Sequence, residues 1–152
     1  QGLRYIADNL KDTQPTIIIA VPLLLESLYK NIMKNIKKSK KEKLVSAMMQ
    51  ITNALKGVGI DVKRKVFKEI LDNLGGNLRF IVSAAAPIDG KIGKWIEDIG
   101  IKFMQGYGLT ETSPIIALNP IENFKIDSVG AYFAPYMEMR IADVVATFNP
   151  QQ

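Results

Sequence analysis

Eight consecutive residues, Gln105-Gly106-Tyr107-Gly108-Leu109-Thr110-Glu111-Thr112, hold the densest set of chemically useful groups in the chain. Gly106 and Gly108 flank Tyr107, so the backbone there is free to bend and to approach a ligand closely. The tyrosine ring could face a planar base. Thr110 supplies a hydroxyl, and Glu111 supplies a carboxylate of the kind that magnesium takes together with phosphate oxygens. A stacking ring, a hydroxyl and a metal-binding acid in so short a span suit a nucleotide. A tight turn carrying an exposed acid is the simpler reading of the same residues, because short glycine motifs arise often by accident.

The rest of the composition narrows the chemistry. The 152 residues contain no histidine and no cysteine. A Ser-His-Asp or Cys-His device therefore cannot be built from them, the usual zinc ligands are missing, and there is no disulfide framework. No apolar run reaches the roughly 18 residues that span a bilayer. No basic region followed by an apolar stretch and a cleavage site opens the chain. A cytoplasmic setting is expected on these grounds. The net charge is +5, yet seven lysines and one glutamate between Lys30 and Lys43 carry +6, which leaves the remainder at −1. The lysines at 37–43 read as a solvent-facing connection between helices. Peripheral contact with an anionic membrane is the second reading. No aromatic residue interleaves them, so nucleic acid is not expected as a partner.

The elements that must position the octet follow from periodicity. Leu3, Ile6, Ala7 and Leu10 share one helical side, and Gln14-Pro15 ends that helix. Thr16 to Val21 is a short β-branched run, read as a strand buried on both faces. Pro22 suits the first turn of a helix through Tyr29. Leu44 to Leu55 forms another helix, and Asp61 caps a further one that passes through Phe67 and Leu71 to Gly75-Gly76. Leu78–Val82 is a strand, followed by the small-residue turn Ser83-Ala84-Ala85-Ala86-Pro87. Asp89 caps a helix ending at Gly100. Residues 101–104 are the next strand, with the glycine-rich octet as the loop after it, and Met137–Ile141 is a last strand. Phe67, Phe80, Trp95 and Phe103 read as core. Strands alternating with helices predict an α/β fold, a mostly parallel sheet with helices on both faces. Ligands of such sheets bind at the carboxyl ends of strands, where both Ser83–Pro87 and Gln105–Thr112 fall.

Gly106 to Pro114 resembles the adenylate-binding motif of the adenylate-forming superfamily, which includes acyl-CoA synthetases, peptide-synthetase adenylation domains and luciferases. Pro15–Leu25 resembles the strand and helix start of that superfamily. Leu78–Ile88 resembles its small-residue turn, and Val129-Gly130 and Met137–Ile141 resemble later landmarks. Phe67-Lys68 and Gly75–Arg79 are most similar to long-chain fatty-acyl-CoA ligases. The resemblance covers residues 1–143, a subdomain of the large N-terminal domain, and leaves 144–152 unmatched. It implies that Tyr107 stacks on adenine, that Gln105 lies at the adenine edge, and that Gly106 and Gly108 shape the loop. Thr110 would meet the α-phosphate and Glu111 would bind Mg²⁺, these two being the catalytic stabilisers. Ala84, Ala85 and Ala86 would pass close to the adenylate, where the superfamily commonly has a pair of glycines.

The implied cofactors and partners are ATP or AMP, Mg²⁺, coenzyme A and a fatty acid. The Ser/Thr/Gly-rich phosphate loop, the ribose-binding aspartate and the catalytic lysine of the superfamily are not found in these residues. The chain therefore reads as an interior fragment, expected to be inactive alone and inclined to self-associate. The alternatives are a non-catalytic interaction module, or an adenylating enzyme for another carboxylic acid.

Overall fold

The structure is a computed structural model, and it describes residues 5–120, 125 and 128–133. Helix α1, Ile6–Thr13, stops where Gln14 turns left-handed ahead of Pro15. Strand β1, Ile17–Ala20, leads into α2, Pro22–Lys38, with its proline in the first turn as expected. Helix α2 runs past the predicted end, so the connection to α3, Glu42–Gly57, is only residues 39–41. The region after Asp61 splits into two short helices, α4 Lys63–Val66 and α5 Lys68–Asp72. Gly75 and Gly76 both take positive φ beyond α5. At Gly75 a Cβ would run into the Leu10 carbonyl, which ties this turn to α1.

Strand β2, Phe80–Ser83, is followed by α6, Gly90–Asp98, whose cap is Asp89: its Oδ1 accepts from the Lys91 amide at 2.9 Å. Strand β3, Lys102–Tyr107, extends three residues into the octet. Two short strands complete the sheet, β4 Ala117–Leu118 and β5 Ala131–Tyr132. The expected strand at 137–141, the start of the first helix at Leu3, and the tail 144–152 lie outside the described residues.

The sheet order is β1-β2-β3-β4-β5. The pairs β1–β2 and β2–β3 are parallel, whereas β3–β4 and β4–β5 are antiparallel. The core gathers on one face of the parallel strands. Ala20, Ile81 and Phe103 point to it and meet Leu25, Phe67, Leu71, Leu74, Ile92, Trp95, Ile96 and Ile99. Tyr29 meets the Trp95 ring edge-on, with centroids 5.2 Å apart. On the opposite face the register places Ile17, Phe80 and Lys102 in one row and Ile19, Val82 and Met104 in the next.

None of these six belongs to the core cluster. The expectation that β1 is buried on both faces is therefore corrected: Ile17 is 56% and Ile19 78% exposed. The expected α/β fold, a mostly parallel sheet with helices, is found, and among the described residues the helical core lies on one face. Phe80, expected in the core, is half-buried on the open face, while Phe67, Trp95 and Phe103 are buried as predicted.

Candidate functional site

Parallel pairing brings two of the predicted segments together. Ser83 is the register partner of Gln105, and Ala20 the partner of Ser83, so β1, β2 and β3 reach their carboxyl ends side by side. The turn 84–87 and the loop 108–116 leave from this common edge. The Ala84 amide still bonds the Ala20 carbonyl at 3.4 Å before the chain departs. Ala85 then adopts φ +77, a region in which an alanine is strained by its Cβ and a glycine is not. An alanine holds this conformation here where a glycine would do so without strain. Ala85 and Ala86 are exposed at the edge.

The octet is arranged differently from a free glycine-rich loop. Gln105, Gly106 and Tyr107 belong to β3, because Gly106 pairs with Leu118 and Tyr107 with Ala117. Neither Gly106 nor Gly108 has positive φ. The requirement at Gly108 is for close packing instead. A Cβ at Gly108 would strike the carbonyl of Pro114 and come within 2.8 Å of the Ile115 Cα, whereas one at Gly106 would touch the Leu118 side chain at 3.4 Å. The Ile116 amide donates to the Tyr107 carbonyl at 2.8 Å and closes the loop. Within it, Thr112 Oγ1 accepts from the Leu109 amide and donates to the Leu109 carbonyl, both at 2.8 Å. This clasp holds the single 3-10 turn Thr110–Thr112, which ends at a left-handed Ser113.

The side chains divide into two groups. Alternation along β3 puts Gln105 and Tyr107 on the same side. Gln105 is buried beside Ser83, while Tyr107, past the end of the neighbouring strand, is 42% exposed. Thr110 and Glu111 are exposed, and Glu111 forms no hydrogen bond or ion pair with a described residue. A ring, a hydroxyl and an unengaged carboxylate thus stand at the edge together. Among the described residues no three acids, histidines or cysteines cluster as a protein-only metal site. A lone carboxylate fits magnesium that arrives on nucleotide phosphates, since that ion is commonly held by one or two carboxylates plus phosphate oxygens.

Two residues at this edge have surroundings that the sequence reading did not assign. Ser83 is fully buried, and its Oγ has no hydrogen-bond partner. Asn119 is buried as well: its amide donates to the Gln105 carbonyl at 3.0 Å. Its Nδ2 donates to the carbonyls of Lys125 (2.5 Å) and Ser128 (2.8 Å). Asn119 therefore fastens Lys125 and Ser128 to the back of β3. The pair Asn119-Pro120 reads only as a turn signal, and nothing in its spacing shows that the amide serves as a hub.

The AMP-binding enzyme family matches residues 3–150. A long-chain-fatty-acid–CoA ligase of Mycobacterium bovis, FadD15, is 29% identical over 143 residues, covering 86% of this chain and 24% of the relative. The peroxisomal long chain acyl-CoA synthetase 6 of Arabidopsis thaliana is 34% identical over 122 residues, or 74% of this chain and 17% of that one. The chain thus spans about a quarter or less of the length of these curated relatives. Among solved structures, a benzoate CoA ligase from Burkholderia xenovorans LB400 superposes with a TM-score of 0.51 at 16% identity. It covers 88% of this chain and 20% of its own, a likeness of fold alone. The match across nearly the whole sequence, on a sheet that sets its two predicted segments side by side, shows that this chain belongs to the AMP-binding enzyme family.

Proposed function

We propose that this chain supplies the adenylate-cradling edge of a fatty-acyl-CoA ligase. The observation that carries the reading is the parallel register Ser83–Gln105, which sets the small-residue turn beside the Tyr107–Glu111 loop at the carboxyl edge of the sheet. On this reading the exposed ring of Tyr107 stacks against adenine. Ala84 and Ala85 offer main chain without bulk to the nucleotide and the acyl group. Thr110 donates its hydroxyl to the α-phosphate. Glu111 directs its free carboxylate at magnesium on the phosphates, and the ion supplies charge neutralisation when bound. Gln105, being mostly buried, acts at the base of the site, where its amide meets the adenine edge from within the strand.

The reaction so assigned has two parts. A fatty carboxylate oxygen bonds to the α-phosphorus of ATP as pyrophosphate leaves. The thiol of coenzyme A then takes the acyl group and releases AMP. Nothing at this edge is a nucleophile or a proton-transfer base, which suits a phosphoryl-centred displacement that depends on alignment and charge neutralisation. The names of the long-chain relatives support a fatty acid as the substrate class.

The test is palmitate-dependent ATP–pyrophosphate exchange by a polypeptide of the relatives' length carrying these 152 residues. Glu111→Gln is expected to lower kcat roughly a hundredfold, as loss of a transition-state charge stabiliser does. Tyr107→Ala is expected to raise the KM for ATP about tenfold with a smaller effect on kcat, the loss of one stacking contact. Wild-type kinetics in both variants would sink the assignment of the site. Exchange driven by benzoate and not by palmitate would sink the assignment of the acid. The 152 residues alone are expected to give no exchange.

A further inference from the structure

At the other end of the same strands lies a second concavity that the proposed reaction does not use. It is a cleft of about 590 Å³ at the amino ends of β2 and β3. Its lining holds Lys56, Lys63, Arg64, Lys65, Arg79 and Lys102 against two acids, Asp61 and Glu97. These cations come from α3, α4, the residue before β2 and the start of β3, far apart in sequence, so no single run of lysines explains their meeting. The separation from the adenylate edge is the length of β3, about 3.3 Å for each of its residues.

Part of this charge is committed to the fold. The Arg64 guanidinium donates to the carbonyls of Leu78 (2.7 Å), Gly76 (3.1 Å) and Gly100 (3.3 Å), pinning the loops that precede β2 and β3. Lys63 is 3% exposed; its Nζ donates to the Glu97 carbonyl at 3.1 Å and lies 3.7 Å from Asp98 Oδ1. The acids are committed too: Asp61 Oδ1 accepts the Lys63 amide at 3.1 Å, and Glu97 Oε1 accepts the Phe103 amide at 2.6 Å.

What remains is Lys56, Lys65 and Arg79, whose side chains make no hydrogen bond or ion pair with a described residue, and Lys102. The Lys102 ammonium lies only 5.7 Å from the centroid of the Phe80 ring. Unengaged cationic side chains from different elements, lining one cleft with Phe80, Gly100 and Ile101, describe a receptor for anions. Burial lowers the pKa of the Lys63 ammonium, against the pull of Asp98; Lys56 lowers it further, and Asp61 and Glu97 raise it.

We propose that this cleft is an anion-binding site for a diphosphate group, free or borne on a nucleotide. Lys56 and Lys65 from α3 and α4, with Arg79 just before β2 and Lys102 at the start of β3, would grip it. A diphosphate can engage several of these cations at once, and charge-assisted hydrogen bonds from lysine and arginine are the strong ones for phosphate oxygens.

Titration of the 15N-labelled chain with inorganic pyrophosphate, at constant ionic strength held with chloride, tests it. Saturable shifts are expected at the amides of Gly100 and Lys102. The paired variant Lys65→Gln, Arg79→Gln should raise Kd about tenfold, and so should Lys56→Gln, Lys102→Gln. All four side chains are exposed, so circular dichroism of both variants should match the parent; the second pair keeps the test alive if the first misfolds. Tyr107→Ala should leave pyrophosphate binding within about twofold. ADP in a parallel titration separates the sources: tighter binding than pyrophosphate assigns a nucleotide-borne diphosphate, and equal binding a free one. Shifts that fail to saturate, shifts confined to 105–112, or an unchanged Kd in both paired variants would overturn the proposal.

Discussion

On one side of β1–β3, Ile81 and Phe103 are buried among α2, α5 and α6; on the other, Ile17 and Ile19 stand exposed, with Phe80, Val82 and Met104 half-covered. The residue types barely differ between the two faces. What differs is the cover: the core is built from residues of α1 to α6 and the loops beside them, all against the first face. The lesson concerns the meaning of an apolar strand. Ile17-Ile18-Ile19 has no alternation, so it states that both faces can tolerate burial and says nothing about which is buried here. A continuous isoleucine run with one side open is a face prepared for cover.

The largest test of this contrast is a pair of matched truncations. Phe103→Ala is expected to cost about 3–5 kcal/mol, because a fully buried ring leaves both a transfer loss and a cavity. Phe80→Ala, the neighbouring aromatic on the open face, should cost less, about 1–2 kcal/mol, since the ring is only partly removed from water and leaves no enclosed cavity. Urea unfolding followed by far-UV circular dichroism would measure both. Equal losses would mean that the open face is not open in solution.

A smaller effect of opposite sign is expected at Ser83. Its hydroxyl is enclosed on the covered face without a partner, a group that has given up water for nothing. Ser83→Ala removes that burden and is expected to raise stability by about 1 kcal/mol. A loss instead would show that the hydroxyl finds a partner in solution. Nucleotide addition would then be the next measurement, because Ser83 adjoins Gln105 at the base of the candidate site.

Much of the scaffold was legible because it is written locally. Pro22 opens α2, Asp89 caps α6 through the Lys91 amide, and Gly75, Gly76 and Gly100 occupy the positive φ that their turns demand. The adjacency of Ser83–Pro87 and Gln105–Thr112 was legible too, as the outcome of βαβ connectivity. What stayed hidden depends on partners distant in sequence. Strand β3 continues through Gln105-Gly106-Tyr107 only because Ala117 and Leu118 pair with it, against the weak strand preference of glycine. Gly108 reads as flexibility, but its cause is the backbone of Pro114 passing across it. Asn119 reads as a turn residue and serves as a clamp on Lys125 and Ser128. The cleft at the amino ends was invisible for the same reason, since its cations come from α3, α4, the residue before β2 and the start of β3.

The finest test concerns the open face itself. Ile19→Thr keeps β-branching and strand preference while making the most exposed isoleucine of β1 polar, so monomer stability should change by less than about 0.5 kcal/mol. Association is where the effect should appear. Among the described residues β1 is an edge strand paired on one side only, with no charge between Asp12 and Glu26, which makes it a template for a second strand, and an apolar patch beside it adds area. Light scattering over a concentration series is expected to show self-association of the 152-residue chain, reduced in Ile19→Thr. If the variant associates as strongly as the parent, the contact lies elsewhere, and exposed Ile17 and Ile19 would count as ordinary surface. If it becomes monomeric with unchanged unfolding, then what separates the two faces is occupancy alone: the isoleucines of the open side are core residues whose cover is absent from the chain in isolation.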